Sequence, residues 1–147
     1  MSYIENNLMK DEKVVYQAKL HWRIFLGPII MGILTLIFLF ANPNFMGFFL
    51  IITAIWAISA LIQFKTSEFG ITNKRVLIKT GFIKRTSLET LLTKIEGIMI
   101  DQSILGRILD YGTIIIKGTG GTGNPFKNIA NPMEFRKKVQ ELIPDQK

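Results

Sequence analysis

Cysteine is absent from the 147 residues and histidine occurs once. Without Cys the chain has no disulfide framework, no thiol nucleophile and no Cys-based zinc or iron-sulfur site. The lone imidazole, His21, leaves no Ser-His-Asp set to assemble. Glu89, Glu96, Asp101 and Asp110 match no metal-ligand spacing and read as solvated strand ends. No catalytic residue, metal or cofactor is therefore expected. Acidic side chains are also few, 11 against 18 Lys and Arg, which gives a net charge of +7. Such an excess suggests a polyanionic partner, either nucleic acid or an anionic membrane surface. The mean hydropathy of +0.30 is unusual for a soluble nucleic-acid binder, and the two together favour the membrane. The cations after Lys65 also lack the interleaved aromatic platforms of single-strand binders, so no nucleic-acid partner is expected.

Charge is missing altogether between Arg23 and Lys65, and Asn42-Pro43-Asn44 divides this run into 24–41 and 45–64. At about 1.5 Å per residue each piece spans roughly 27 to 30 Å, the thickness of a hydrocarbon core. The first holds twelve Ile, Leu or Phe and the second eleven. At roughly −0.3 to −0.6 kcal/mol each, insertion of both is favoured by several kcal/mol before the Gly, Pro and Thr penalties. Pro28 falls in the first turns and Pro43 in the connection, where their missing N–H groups cost little.

The expectation is a tight transmembrane helical hairpin. His21, Trp22 and Arg23 mark its leading interface, and Lys65 its trailing one. The connection carries no charge, whereas Lys10, Lys13, Lys19 and Arg23 precede the hairpin and fourteen Lys and Arg follow it. The positive-inside bias places both termini in the cytoplasm of a multi-pass inner-membrane protein. A cleaved signal peptide is disfavoured, because Asp11 and Glu12 precede the run and a second run follows at once. A channel or transporter core is disfavoured by the lack of an intramembrane charge. Gly27, Gly32 and Gly47 leave room for helix packing and hence for oligomers. The organisation expected is a cytoplasmic segment 1–23 with a first strand, the hairpin 24–64, and a cytoplasmic domain 65–147.

After Lys65 the pattern changes to short β-rich stretches separated by turn residues. Strands are expected over 66–72, 75–80, 82–89, 95–102 and 113–118, with a helical turn over 103–109. Asn131-Pro132-Met133-Glu134 has the form of a helix start, with Asn as cap and Glu reaching back to the free amides. That helix should run to about Ile143, before Pro144, with Phe135, Val139 and Leu142 on its apolar face. Residues 12–20 alternate like a strand. Both ends of the hairpin return to one side, so this strand can pair with those after Lys65, and the hairpin is an insertion into one sheet domain.

A meander of strands closed by a C-terminal amphipathic helix resembles the pleckstrin-homology (PH) superfold. The motifs resemble more specifically the bacterial PH-like family of membrane-anchored proteins, once grouped as a domain of unknown function. They are Glu12-Lys13-Val14-Val15-Tyr16 with His21 just before the first span, Phe69-Gly70-Ile71-Thr72-Asn73-Lys74-Arg75-Val76, Gly81-Phe82-Ile83-Lys84-Arg85, Lys94-Ile95-Glu96-Gly97-Ile98, Gln102-Ser103-Ile104-Leu105-Gly106-Arg107-Ile108-Leu109-Asp110-Tyr111-Gly112 and Asn131-Pro132. The resemblance implies a PH-like antiparallel sheet or barrel of about seven strands with a C-terminal helix, attached to the membrane hairpin. It implies no common activity, and phosphoinositide binding is not carried over.

Two clusters remain. Gly118-Thr119-Gly120-Gly121-Thr122-Gly123 matches the letters of a dinucleotide loop but opens no helix, so it reads as a strand connection. Lys74 and Arg75 in a turn, Lys84 and Arg85 on the next strand, and Arg107 beyond form either a solvated face or a set that meets anionic lipid headgroups. The function expected is a non-catalytic binding or oligomerisation module at the membrane surface, with membrane lipids and either a protein partner or a second copy as partners. The alternative is a structural subunit of a membrane complex assembled through its helices.

Overall fold

The strand that precedes the long apolar run pairs with the strand that follows it. In the computed structural model, which describes residues 2–121 and 123–143, a short helix α1 (Tyr3–Asn6) leads to β1 (Val14–Ala18). A 3-10 turn, Trp22–Phe25, opens α2 (Leu26–Ala41) and a second, Pro43–Phe45, opens α3 (Met46–Thr66). Then come β2 (Glu68–Thr72), β3 (Arg75–Thr80), β4 (Thr86–Leu91), β5 (Ile95–Asp101), α4 (Ile104–Leu109), β6 (Tyr111–Gly118), β7 (Gly123–Ala130) and α5 (Pro132–Leu142). Thr122 of the Gly-rich connection and Pro144, the expected helix stop, lie outside the described residues.

The strands form two antiparallel sheets, β1-β2-β3-β4 and β5-β6-β7. β1 meets β2 in the register Val14↔Thr72 to Ala18↔Phe69, so α2 and α3 are an insertion between neighbouring strands. The sheets join where Leu20 bridges to Ile129 and the His21 N–H donates to the Asn128 carbonyl at 2.7 Å. Their inner faces supply Phe69, Ile71, Val76, Ile78, Ile114 and Ile129 to one core, and α5 adds Phe135 and Val139 from its apolar stripe.

α2 and α3 pack along each other through small and aromatic residues. Trp56 lies over Gly27, where a Cβ would come within 2.8 Å of its ring, and Thr53 faces Gly32. Phe38 stacks on Phe49 with centroids 5.8 Å apart. Thr35 and Thr53 each donate to the carbonyl four residues back at 2.8 Å, and their hydroxyls stand 3.2 Å apart. These bonds satisfy polar groups in an otherwise apolar pair. The outer faces carry exposed Ile33, Ile37, Phe40, Phe48 and Ile55. Both helices are long and apolar enough to cross a membrane.

Four local expectations are corrected. Thr66 belongs to α3, its hydroxyl donating to the Ile62 carbonyl at 2.7 Å, so β2 starts only at Glu68. Residues 81–85 are a tight loop and β4 begins at Thr86, opposite Thr80. Gly81 has φ +85° and a Cβ there would strike the Lys84 carbonyl, so the chain turns instead of extending. The segment after the Gly-rich connection is strand β7; Pro125 is tolerated because β7 is an edge strand. Asn131 enters α5 in the left-handed region (φ 50°) with no side-chain cap bond, and Glu134 instead accepts from the Tyr16 hydroxyl at 3.4 Å.

Candidate interaction surface

The first sheet divides the sequence-predicted cations between its two ends. At the β2–β3 turn, Arg75 is 6% exposed and fully engaged. Its Nε donates to Glu12 Oε1 at 2.9 Å and its Nη2 to Glu12 Oε2 at 3.1 Å and to the Asn7 carbonyl at 2.6 Å. Nη1 donates to Glu89 at 2.6 Å. Thr72 and the Met9 N–H donate to the same Glu12 carboxylate at 2.7 and 2.6 Å. Burial alone would raise the Glu12 carboxyl, but the bonds from Arg75, Met9 and Thr72 outweigh it and hold it at about 2. Hydrogen bonding to Glu12, opposed by burial, raises Arg75 further above its ordinary value. Arg75 therefore leaves the set of free cations: it is half of a buried ion pair. Lys74 beside it is exposed and donates to the Lys10 carbonyl at 2.8 Å.

The other end of the same sheet lies against the apolar helices. β2 emerges from α3 after a single residue, Ser67, and Glu68 pairs with Lys79 near the end of β3, which itself contacts α3. Glu68 also holds α1, accepting from the Ser2 hydroxyl at 2.8 Å and from the Tyr3 and Ile4 N–H groups at 3.0 and 3.2 Å. Burial acts to raise the Glu68 carboxyl, yet these bonds prevail and lower it. α1 in turn seats Ile4 on Gly70, where a Cβ would lie 2.6 Å from the Ile4 side chain. Nothing in the sequence pattern announced α1, whose carboxylate partner Glu68 lies 64 to 66 residues away. The Lys79 ammonium sits 4.8 Å from the Tyr3 ring centroid.

Beyond Lys79 the loop 81–85 carries Lys84 and Arg85, both exposed, beside Phe82 and a 98% exposed Ile83. Lys65, in the last turn of α3, is also exposed. A recess of about 310 Å³ at this junction is lined by Lys19, Phe64, Lys65, Ser67 and Glu68, among others. Lys65, Lys84 and Arg85 thus share the helix-proximal end of the domain, and Lys74 sits at the opposite end of β3.

The leading edge of the helical pair is built on Tyr111. His21 is buried, its ring 5.2 Å from both Trp22 and Tyr111, and its Nδ1 accepts from the Arg23 N–H at 3.2 Å. The Arg23 guanidinium lies 4.6 Å from the Tyr111 centroid and donates to Asn128 at 3.3 Å. Trp22 is half exposed. α4 abuts the other side of Tyr111 through Gly106, with Ser103 capping its N-terminus at 3.1 Å, and presents Arg107, Ile104 and Ile108 to the outside. Arg107 is therefore not part of the cluster around Lys84. Among the described residues no group of three His, Asp or Glu side chains could hold a metal ion.

The family model of the bacterial PH domain matches residues 23–143. The chain belongs to the bacterial PH domain family. The match starts at Arg23, so β1 lies outside it although it is the edge strand of the first sheet. No curated protein matches the chain. Among solved structures, a protein of the DUF1696 family with a pleckstrin-homology domain from Shewanella loihica is similar over 52% of this chain and 70% of that one, at 11% identity and a TM-score of 0.42. PH-like domains are generally non-catalytic binding modules, and a bacterial PH domain carrying two apolar helices is consistent with a membrane-associated module.

Proposed function

We propose that this bacterial PH domain is part of an integral inner-membrane protein and works as a non-catalytic binding or oligomerisation module on the cytoplasmic face. One observation carries the reading: α2 and α3 connect neighbouring antiparallel strands, Ala18 facing Phe69. The sheet and the apolar pair therefore share one root, and a bilayer around the pair holds the whole domain at one surface. The apolar outer faces of both helices have the chemistry of lipid tails. The distribution of Lys and Arg, fourteen of eighteen after the hairpin, supports the cytoplasmic side. Lys19, Lys65, Lys84 and Arg85 are the side chains offered to anionic headgroups, and a protein partner or second copy takes the remaining surface.

Assembly of a larger complex through the helices is the weaker reading, because Gly27 and Gly32 face α3 within the chain and only Gly47 is open to close approach from outside. The absence of Cys makes the test clean. Asn44→Cys and Lys117→Cys variants are exposed to a membrane-impermeant maleimide on cells with a permeabilised outer layer. Labelling of position 44 without position 117 is expected; labelling of 117 before lysis overturns the orientation, and loss of the protein to a soluble fraction overturns the membrane reading.

A further inference from the structure

We propose that the loop 81–85 is a lipid wedge: Phe82 and Ile83 enter the acyl region of the leaflet that α3 leaves, while Lys84 and Arg85 hold its phosphates. The inference rests on the membrane reading above and adds a second point of insertion to it.

Position comes from register. β2 starts one residue after α3, and β3 returns beside β2 with Lys79 opposite Glu68 and its end against α3. The hairpin then closes with Thr80 opposite Thr86, leaving five residues in the loop. The loop therefore leaves the sheet at the end where β2 departs from α3, and its tip at Phe82 and Ile83 belongs to the helix-proximal end of the domain, where Phe64 and Lys65 mark the passage from tails to headgroups.

Chemistry gives the occupant. A single exposed apolar side chain on a soluble domain is ordinary. Here two adjacent ones crown a loop: Ile83 is 98% and Phe82 56% exposed. The next two residues are cations whose aliphatic stems can lie along the apolar zone while their charges stay at phosphate level. Gly81, at φ +85°, makes the turn tight. Apolar tip, basic collar and a neighbouring apolar helix fit a bilayer better than either water or a protein groove.

The test uses the full chain in vesicles of phosphatidylethanolamine with a minority of phosphatidylglycerol. A polarity-sensitive dye is placed at Ile83→Cys, at Ile37→Cys in α2 as a reference for the span, and at Thr119→Cys at the distal β6–β7 turn. With the wedge, dye at 83 emits blue-shifted light and is quenched by spin labels on the acyl chains, as dye at 37 is, and dye at 119 is not. Adding Phe82→Ser, Lys84→Glu and Arg85→Glu abolishes the quenching at 83 and leaves 37 unchanged. If 83 behaves like 119 while 37 is quenched, or if the added changes have no effect, the wedge is overturned and the membrane reading stands. Quenching at 83 by headgroup labels alone also overturns it. If 37 is not quenched, both proposals fall together.

Discussion

Glu12 and Arg75 lie 63 positions apart in the chain and face each other side by side in the core, Nε to Oε1 at 2.9 Å and Nη2 to Oε2 at 3.1 Å. The pair ties the segment before β1 to the start of β3 and is itself braced by Glu89, Thr72 and the Asn7 carbonyl. Removing one member strands a buried charge, which costs about 3 to 5 kcal/mol. Glu12→Ala and Arg75→Ala should each lower the thermal midpoint of the chain in mild detergent by many degrees. Glu12→Leu combined with Arg75→Met should recover much of the loss.

The same carboxylate makes the domain sensitive to acid. Its folded value of about 2 lies below the ordinary 4.5, so the unfolded chain binds more protons between those limits and stability rises with pH across them. The contribution is complete above about pH 5 and lost as the pH falls toward 2; it amounts to on the order of 3 kcal/mol. Glu68, lowered by its bonds to α1, acts in the same direction. Denaturation midpoints from pH 7 to 2 should show this acid limb, and Glu12→Gln should start lower and flatten it.

Inside the helical pair, Gly27 and Gly47 make opposite predictions. A side chain at 27 must displace Trp56, whereas nothing lies within 4 Å of a Cβ at 47. Gly27→Leu should destabilise the pair by about 1 to 3 kcal/mol, the usual cost of overpacking. Gly47→Leu should stay within about 0.5 kcal/mol of the parent. Heat-induced loss of an engineered crosslink between α2 and α3 is the readout. Dissociation of a detergent-stable oligomer by Gly47→Leu would revive assembly through the helices.

The cations can be sorted by position. Lys84→Glu with Arg85→Glu should reduce retention of phosphatidylglycerol on the purified protein, since each cation near an anionic surface contributes about 1 kcal/mol. Lys74→Glu, at the far end of β3, should leave retention unchanged. Equal losses from both changes would mean that net charge matters and placement does not.

What the sequence made legible follows the range of the interactions involved. The helical pair could be placed because its signal is a local excess of apolar residues with no charge to interrupt it. The turn over 103–109 was also readable, since Ser103 caps its own helix. Phe82 and Ile83 have strand propensity and predict a strand where loop 81–85 stands; only the left-handed Gly81 marks the turn. β7 was hidden by Asn124, Pro125 and Asn128, residues that signal loops unless an edge position accepts them. Arg75 reads as a surface cation in the sequence because its partner, Glu12, arrives from before the insertion, and no local pattern reveals a pairing across two intervening helices. Lys84 and Arg85 are exposed cations that stand on a loop where the propensities predict a strand.

Because β1 is made before the two helices and its partner β2 after them, synthesis leaves an edge strand waiting while nearly fifty further residues emerge. Ordinary chain diffusion would have to close a loop of that length at an entropic cost. Here the returning helix delivers β2 to the mouth of the insertion, next to where β1 was left. Completion of the sheet is thereby made contingent on a hairpin whose second helix comes back beside β1.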